Sequence, residues 1–223
     1  MDGDSMPPVQ GWSALLPICE ISIIVAIPLL AIWVAPIFIH DRFTLGRTIG
    51  ALALTGLLAA IGINCYHREK PRQIGLRLDN FLEAGRPLAC ITVIGAVAIL
   101  ALGWRFGSIH LGKRFVNQLR VLHVWGIEQQ YGVQAIINRR CQTMFGKGWR
   151  SVLLTAVLFS ALHFPNPILV LATFAAGVAW SVVYQRAPNL PALALSHALL
   201  SAVLANSLPI WLLPNMKVGW GYW

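Results

Sequence analysis

Charge is scarce in this chain: Asp, Glu, Lys and Arg make up 11% of 223 residues while 57% are hydrophobic, against about 25% charged in an ordinary soluble domain. Apolar surface in that excess cannot be hidden inside one soluble core, which excludes a soluble globular enzyme. Acidic residues are scarcer still, eight against seventeen Lys and Arg, for a net charge of +9. That balance does not point to nucleic acid. The basic residues lie between apolar runs, where they meet lipid headgroups, and no helix-turn-helix, zinc finger or aromatic-interleaved basic sheet accompanies them. Membrane lipid is the expected partner, and no nucleic acid. The four cysteines, Cys19, Cys65, Cys90 and Cys141, form no CxxC pair, so neither a zinc cluster nor a disulfide framework is expected. There is no convincing internal repeat and no low-complexity tract. The opening MDGDSMPPVQ lacks the basic start of a cleavable signal peptide, so the first apolar run is expected to be a retained span.

What is present is a succession of apolar runs. A transmembrane helix needs about 20 mostly apolar residues, and windows of this kind fall at about 14 to 39, 46 to 66 and 87 to 104, with further helices at about 121 to 138, 151 to 164, 167 to 186 and 190 to 208. The fold class is therefore all-α, a polytopic membrane helical bundle of about seven transmembrane helices (six to eight). Pro17, Pro28 and Pro36 predict kinks in the first window. Gly46, Gly50, Gly56 and Gly62 read as close-packing positions in the second. The stretch from His67 to Arg86 reads as an interfacial connection. Segments 41 to 47 and 105 to 120 hold six Lys or Arg, and segments 67 to 86 and 139 to 150 hold nine, which narrowly favours the second pair as cytoplasmic.

Ionisable groups inside a membrane cost about 2.5 to 3.5 kcal/mol at a helix centre on insertion scales and are functional candidates by default. Of the acids, only Glu20 and Glu128 fall inside apolar windows; of the histidines, His163 and His197 are embedded in apolar helices. Glu20 has no motif around it and reads as snorkelling or as an interhelical hydrogen bond, and His123 as structural. Glu128 in VWGIEQQYGVQAI, His163 in LTAVLFSALHFP and His197 in LPALALSHALLSAVL come from three helices. One carboxylate and two imidazoles can activate a water and hold an oxyanion, which is peptide hydrolysis without a covalent intermediate. Gln130 and Gln134, one turn apart, read as bridges between helices. Trp211 and the tail GWGYW read as interfacial anchors.

Phe159-Ser-Ala-Leu-His163 and the helix beginning Ser196-His197 resemble motifs of the CPBP (CAAX protease and bacteriocin-processing) family of intramembrane proteases, related to the type II CAAX prenyl endopeptidases. Those motifs run Glu-Glu-x-x-x-Arg, Phe-x-x-x-His and His-x-x-x-Asn or Asp on successive helices, and the similarity spans about residues 120 to 205. Three positions depart from the pattern. Gln129 stands at the second acid, Val133 at the arginine, and Ser201 at the final Asn or Asp. The first two would be i, i+4 partners, and their joint replacement leaves no stranded charge.

The resemblance implies a glutamic-type intramembrane endopeptidase without a cofactor, in which Glu128 and His163 activate water, His197 stabilises the oxyanion, and Ser201 and Gln129 position oxyanion or substrate. Its substrate would be a protein or peptide entering from the membrane, such as a prenylated CaaX tail, a bacteriocin-related peptide or a C-terminal sorting tail. The expected setting is a bacterial inner membrane. A zinc ion at Glu128, His163 and His197 is an alternative, as are an inactive member acting as a binding or immunity protein and a small proton-coupled transporter. The expected divisions are N-terminal helices and basic segments at 1–120, a catalytic helix core at 121–208 and an aromatic tail at 209–223.

Overall fold

The computed structural model describes residues 15–223, apart from the side chains of Arg114, Arg120 and His123. The readings of the first ten residues and of His123 therefore lie outside the described residues. Among the described residues seven helices form, besides a 3-10 turn at Gly219–Tyr222, and no strand. They are α1 (Leu15–Phe38), α2 (Arg42–Tyr66), α3 (Phe81–Arg105), α4 (Lys113–Gln130, then Tyr131–Asn138, then Arg139–Phe145), α5 (Trp149–Ala161), α6 (Pro167–Arg186) and α7 (Leu190–Ser207). α1, α2, α3, α6 and α7 are long and apolar enough to cross a membrane. Leu54, Leu58, Val93, Val97 and Leu171 stand exposed on three of them, as side chains facing lipid do.

Hydropathy locates these helices but does not find their ends. α3 begins at Phe81 rather than 87, and α4 runs over 113–145 rather than 121–138, because a helix extends into polar sequence wherever its backbone bonds are satisfied. The N-termini are set by local chemistry. Asp41, Asn166 and Asn189 each accept a hydrogen bond from a backbone N–H three residues on, capping α2, α6 and α7. Pro167 and Pro191 follow two of these caps at helix starts, where a missing N–H costs nothing. Asn189 also donates to Asn80 Oδ1 at 2.8 Å and to the Arg77 carbonyl at 2.9 Å, tying the start of α7 to the loop before α3.

Two helices depart from α geometry. α1 widens to a π-helical stretch at Leu30–Val34, two residues after Pro28, which accommodates the proline in the first window. α4 does the same at Tyr131–Asn138, immediately past Glu128. Single π stretches recur at functional sites, and in this one seven of eight residues are buried.

Close approaches do not fall where the glycine spacing of α2 predicts. A Cβ added at Gly46, Gly50 or Gly62 would meet nothing within 4 Å, and one at Gly56 only Ile27 at 3.5 Å. Spacing marks a smooth helix face, and a neighbour is needed to use it. The tight contacts lie elsewhere. Gly177 of α6 sits on Ala156 of α5, where a Cβ would be 3.1 Å from the Ala156 Cα; Gly126 of α4 faces the Ala194 carbonyl of α7, also at 3.1 Å.

One end of the bundle gathers the start of α1, the end of α2 and the end of α4. Arg140, 3% exposed, donates to Glu20 at 2.5 Å and to Glu69 at 3.0 and 3.2 Å. Arg139 donates to Glu69 at 2.7 Å, and His67 lies 2.6 Å from Glu20. Glu20 is thus the interhelical partner of a charged arginine, and the basic segments after α2 and α4 share one end. Burial pushes the Glu69 carboxyl up, but the hydrogen bonds and charges of Arg140 and Arg139 outweigh it and hold it below its ordinary value.

Candidate active site

Glu128 lies on α4 just before its π-helical stretch, His163 on the turn that follows α5, and His197 midway along α7. The structure brings all three to the border of one cavity of about 810 Å³, together with Gln129 and Ser201. Residues of α1, α2, α3 and α6 complete its largely apolar wall. α4 reaches α7 closely because Gly126, two residues before Glu128, has no side chain to strike Ala194.

The two imidazoles are held differently. His163 Nδ1 is 2.9 Å from the Phe159 carbonyl one turn back. That oxygen can only accept, so Nδ1 carries the hydrogen and Nε2 presents a lone pair. His197, 7% exposed, has Nδ1 at 3.1 Å from Gln130 Nε2. The Phe159 ring meets His163 edge-on at 5.0 Å and His197 at 6.1 Å, and Trp180 stacks on His197 at 4.8 Å. The Phe of the Phe-x-x-x-His motif therefore touches both histidines.

Among the described residues Glu128 makes no ion pair and no side-chain hydrogen bond, and it has no direct bond to either imidazole. Water or substrate is left to bridge them. Nor do three or more His, Cys, Asp or Glu side chains gather there closely enough to hold a metal ion. Ser201, one turn after His197, and Gln129 are partly exposed toward the cavity. Val133, at the position expected for an arginine, is buried and lines the same wall.

Gln130 and Gln134 do bridge helices. Both are fully buried, Gln130 against His197 and Gln134 against Ser181 at 3.3 Å. A ladder continues from Gln134 through Asn138 to Gln142 and Gln185, fastening α4 to α6.

Several contributors escaped the sequence reading. Tyr131 lines the cavity and its hydroxyl accepts from Asn64 at 2.8 Å. Met216 and Val218 reach the cavity from the C-terminal tail, held where Gly219 N–H donates to the Phe164 carbonyl and Asn166 donates to the Lys217 carbonyl. The anchoring role expected of that tail accounts for exposed Trp211, Trp220 and Trp223, but not for these inward contacts. Local sequence carries no signal for them, since they depend on the fold bringing the tail back past α1.

The sequence matches a family model described as type II CAAX prenyl endopeptidase Rce1-like over residues 14–203. No curated protein and no solved structure matches it. The match begins at the first helix, upstream of the motifs, and so takes in α1, α2 and α3, whose side chains wall the cavity. The chain therefore belongs to the Rce1-like type II CAAX prenyl endopeptidase family, whose fold it carries as an all-α membrane bundle.

Proposed function

We propose that this integral membrane protein is a glutamic-type intramembrane endopeptidase in which Glu128 is the general base. The observation that carries the reading is the meeting of Glu128, His163 and His197 at one cavity in a chain of this family. A carboxylate with no ion pair or side-chain hydrogen bond among the described residues is free to take a proton from water. The lone pair of His163 Nε2 can accept the other hydrogen of that water and aim its oxygen at the scissile carbonyl. His197, with Ser201 one turn further on, supplies donors where the tetrahedral oxyanion forms. As the intermediate collapses, the proton taken by Glu128 passes to the leaving amine. Gln129 is placed to hold the substrate backbone.

A protein or peptide at the membrane is the substrate class the family implies. The apolar wall suits a lipid-modified or hydrophobic C-terminal tail. α2 packs on α1 and α4, whereas α3 packs on α6 and α7; both line the cavity, and the division between them offers a lateral entry from the bilayer. The departures in the first motif favour a specialised processing role in a bacterial inner membrane.

The test is cleavage of a prenylated CaaX-tailed reporter peptide, and of the same peptide without the lipid, by the protein in liposomes. Turnover that vanishes in Glu128→Ala is expected, and turnover that survives that change sinks the assignment. A chelator separates the zinc version, which needs Glu128, His163 and His197 to close on one ion, from the metal-free one. Gln129 and Val133, in place of an acid and an arginine, favour a second reading as an inactive binding protein. Peptide binding without cleavage would select it.

A further inference from the structure

The oxyanion role given to His197 has a requirement of its own: the nitrogen left for substrate must carry a hydrogen. A neutral imidazole has only one N–H, and the partner of one nitrogen decides which nitrogen has it. Gln130 Nε2, an amide nitrogen with two hydrogens and no lone pair to offer, lies 3.1 Å from His197 Nδ1. With the amide nitrogen turned to the ring, Nδ1 is the acceptor and the ring hydrogen is left to Nε2. Among the described residues that Nε2 has no protein partner, yet it is not one of the buried polar atoms sealed without one; His197 borders the cavity.

We infer that Gln130 is a positioning residue that locks His197 in the Nε2–H tautomer and so makes it an oxyanion donor. The inference rests on the proteolytic reading above. It also explains a feature that packing does not. Gln130 is fully buried and its Oε1 has no hydrogen-bond partner, an arrangement an apolar residue of the same size would avoid.

The surroundings of His197 remove its other freedoms. Trp180 stacks on the ring at 27° between planes, and Phe159 meets it at 76°. Trp180 is fixed in turn, since its indole N–H donates to Ser196 Oγ at 3.0 Å, Ser196 Oγ lies 2.7 Å from Thr92 Oγ1, and the Thr92 hydroxyl donates to the Leu88 carbonyl. Those contacts hold the ring plane, and only Gln130 selects the tautomer. His163 is set the opposite way by the Phe159 carbonyl, so the cavity receives one histidine as acceptor and one as donor. Gln130 stands two residues after Glu128, so a single turn of α4 carries both the base and the residue that prepares the oxyanion donor.

The experiment combines kinetics on the prenylated reporter peptide with ¹⁵N spectra of protein labelled at histidine, His197 being assigned by its loss in His197→Ala. The wild-type signal should be that of an Nε2–H ring. Gln130→Met keeps the length and removes the donor. It should give a mixed tautomer and a kcat reduced about 10- to 100-fold with KM little changed. Gln130→Glu can only accept, should draw the hydrogen to Nδ1, and should lower kcat at least as far. Full activity in Gln130→Glu, or an unaltered His197 signal in Gln130→Met, overturns the inference. If Gln130→Met does not fold, the wild-type spectrum decides, because an Nδ1–H His197 contradicts it outright. Full activity in His197→Ala instead defeats the oxyanion role of His197, and absence of cleavage by the wild type defeats the proteolytic reading. Loss of activity in His197→Ala with full activity in Gln130→Met defeats the Gln130 inference alone.

Discussion

Two clusters of polar side chains lie at different depths of this bundle and are built in opposite ways. At the end where α1 starts and α2 and α4 finish, Glu20, His67, Glu69, Arg139 and Arg140 pair with one another. At the cavity Glu128 has no partner among the described residues, and each histidine commits one nitrogen and leaves the other open. Buried opposite charges that meet in good geometry hold three helices together, but being satisfied they have nothing left for a substrate. A carboxylate that meets no cation among the described residues can still take a proton. Each cluster holds one acid from an apolar window, Glu20 in the first and Glu128 in the second, and pairing separates the structural one from the proposed reactive one.

The comparison can be broken most severely at Glu128. Glu128→Gln should lower turnover of the reporter peptide by about 10²- to 10⁴-fold while leaving thermal unfolding in detergent unchanged, since among the described residues it breaks no ion pair or side-chain hydrogen bond. A large drop in the unfolding temperature would show that Glu128 is structural after all.

Arg140→Met should do the reverse. It leaves Glu20 only His67 and Glu69 only Arg139, and is expected to cost at most about 3–5 kcal/mol of stability, read as a lower unfolding temperature. An unchanged temperature would mean that the network contributes no net cohesion.

Gly126→Val probes the contact through which α4 approaches α7 beside the site. The added side chain starts 3.1 Å from the Ala194 carbonyl, and overpacking of this kind costs about 1–3 kcal/mol. A reduced kcat should accompany the lost stability as Gln130 is pushed from His197; lost stability with kcat intact would uncouple that contact from the site.

The smallest effect is the pH dependence of the paired cluster. The folded Glu69 carboxyl lies below its ordinary value of 4.5, so its contribution is fully present above that value and is lost as the pH falls through the folded one. Unfolding temperature should decline on acidification below about pH 4.5, with a shallower decline in Glu69→Gln. Identical slopes would remove Glu69 from the network's energetics.

Much of the bundle could be read from the chain. Seven helices follow from apolar runs punctuated by caps such as Asn166-Pro167, because the cost of unpaired backbone in lipid leaves helices as the favoured form for these runs. Their ends were less legible, as polar flanks such as Phe81–Arg86 are helical without being apolar. At the cavity, Glu128, His163 and His197 stand out because ionisable groups are rare in apolar helices. Gln130 does not stand out, since a buried glutamine signals only that some partner exists. Trp180 reads as one more aromatic, and Met216 and Val218 as part of an interfacial tail.

The sequence alone determined the class of solvent, the number of helices, the family and the scarcity of intramembrane charge, all of which depend on composition and on spacing within single helices. Tertiary structure decided which charges are paired, that Glu20 meets Arg140 across 120 residues, and that Gln130 rather than Gln129 faces His197. It also decided that three of the four glycines spaced for packing on α2 meet no neighbour. Such outcomes depend on which helix faces which, and a helix presents every side of itself in its sequence while only packing selects the side that is used.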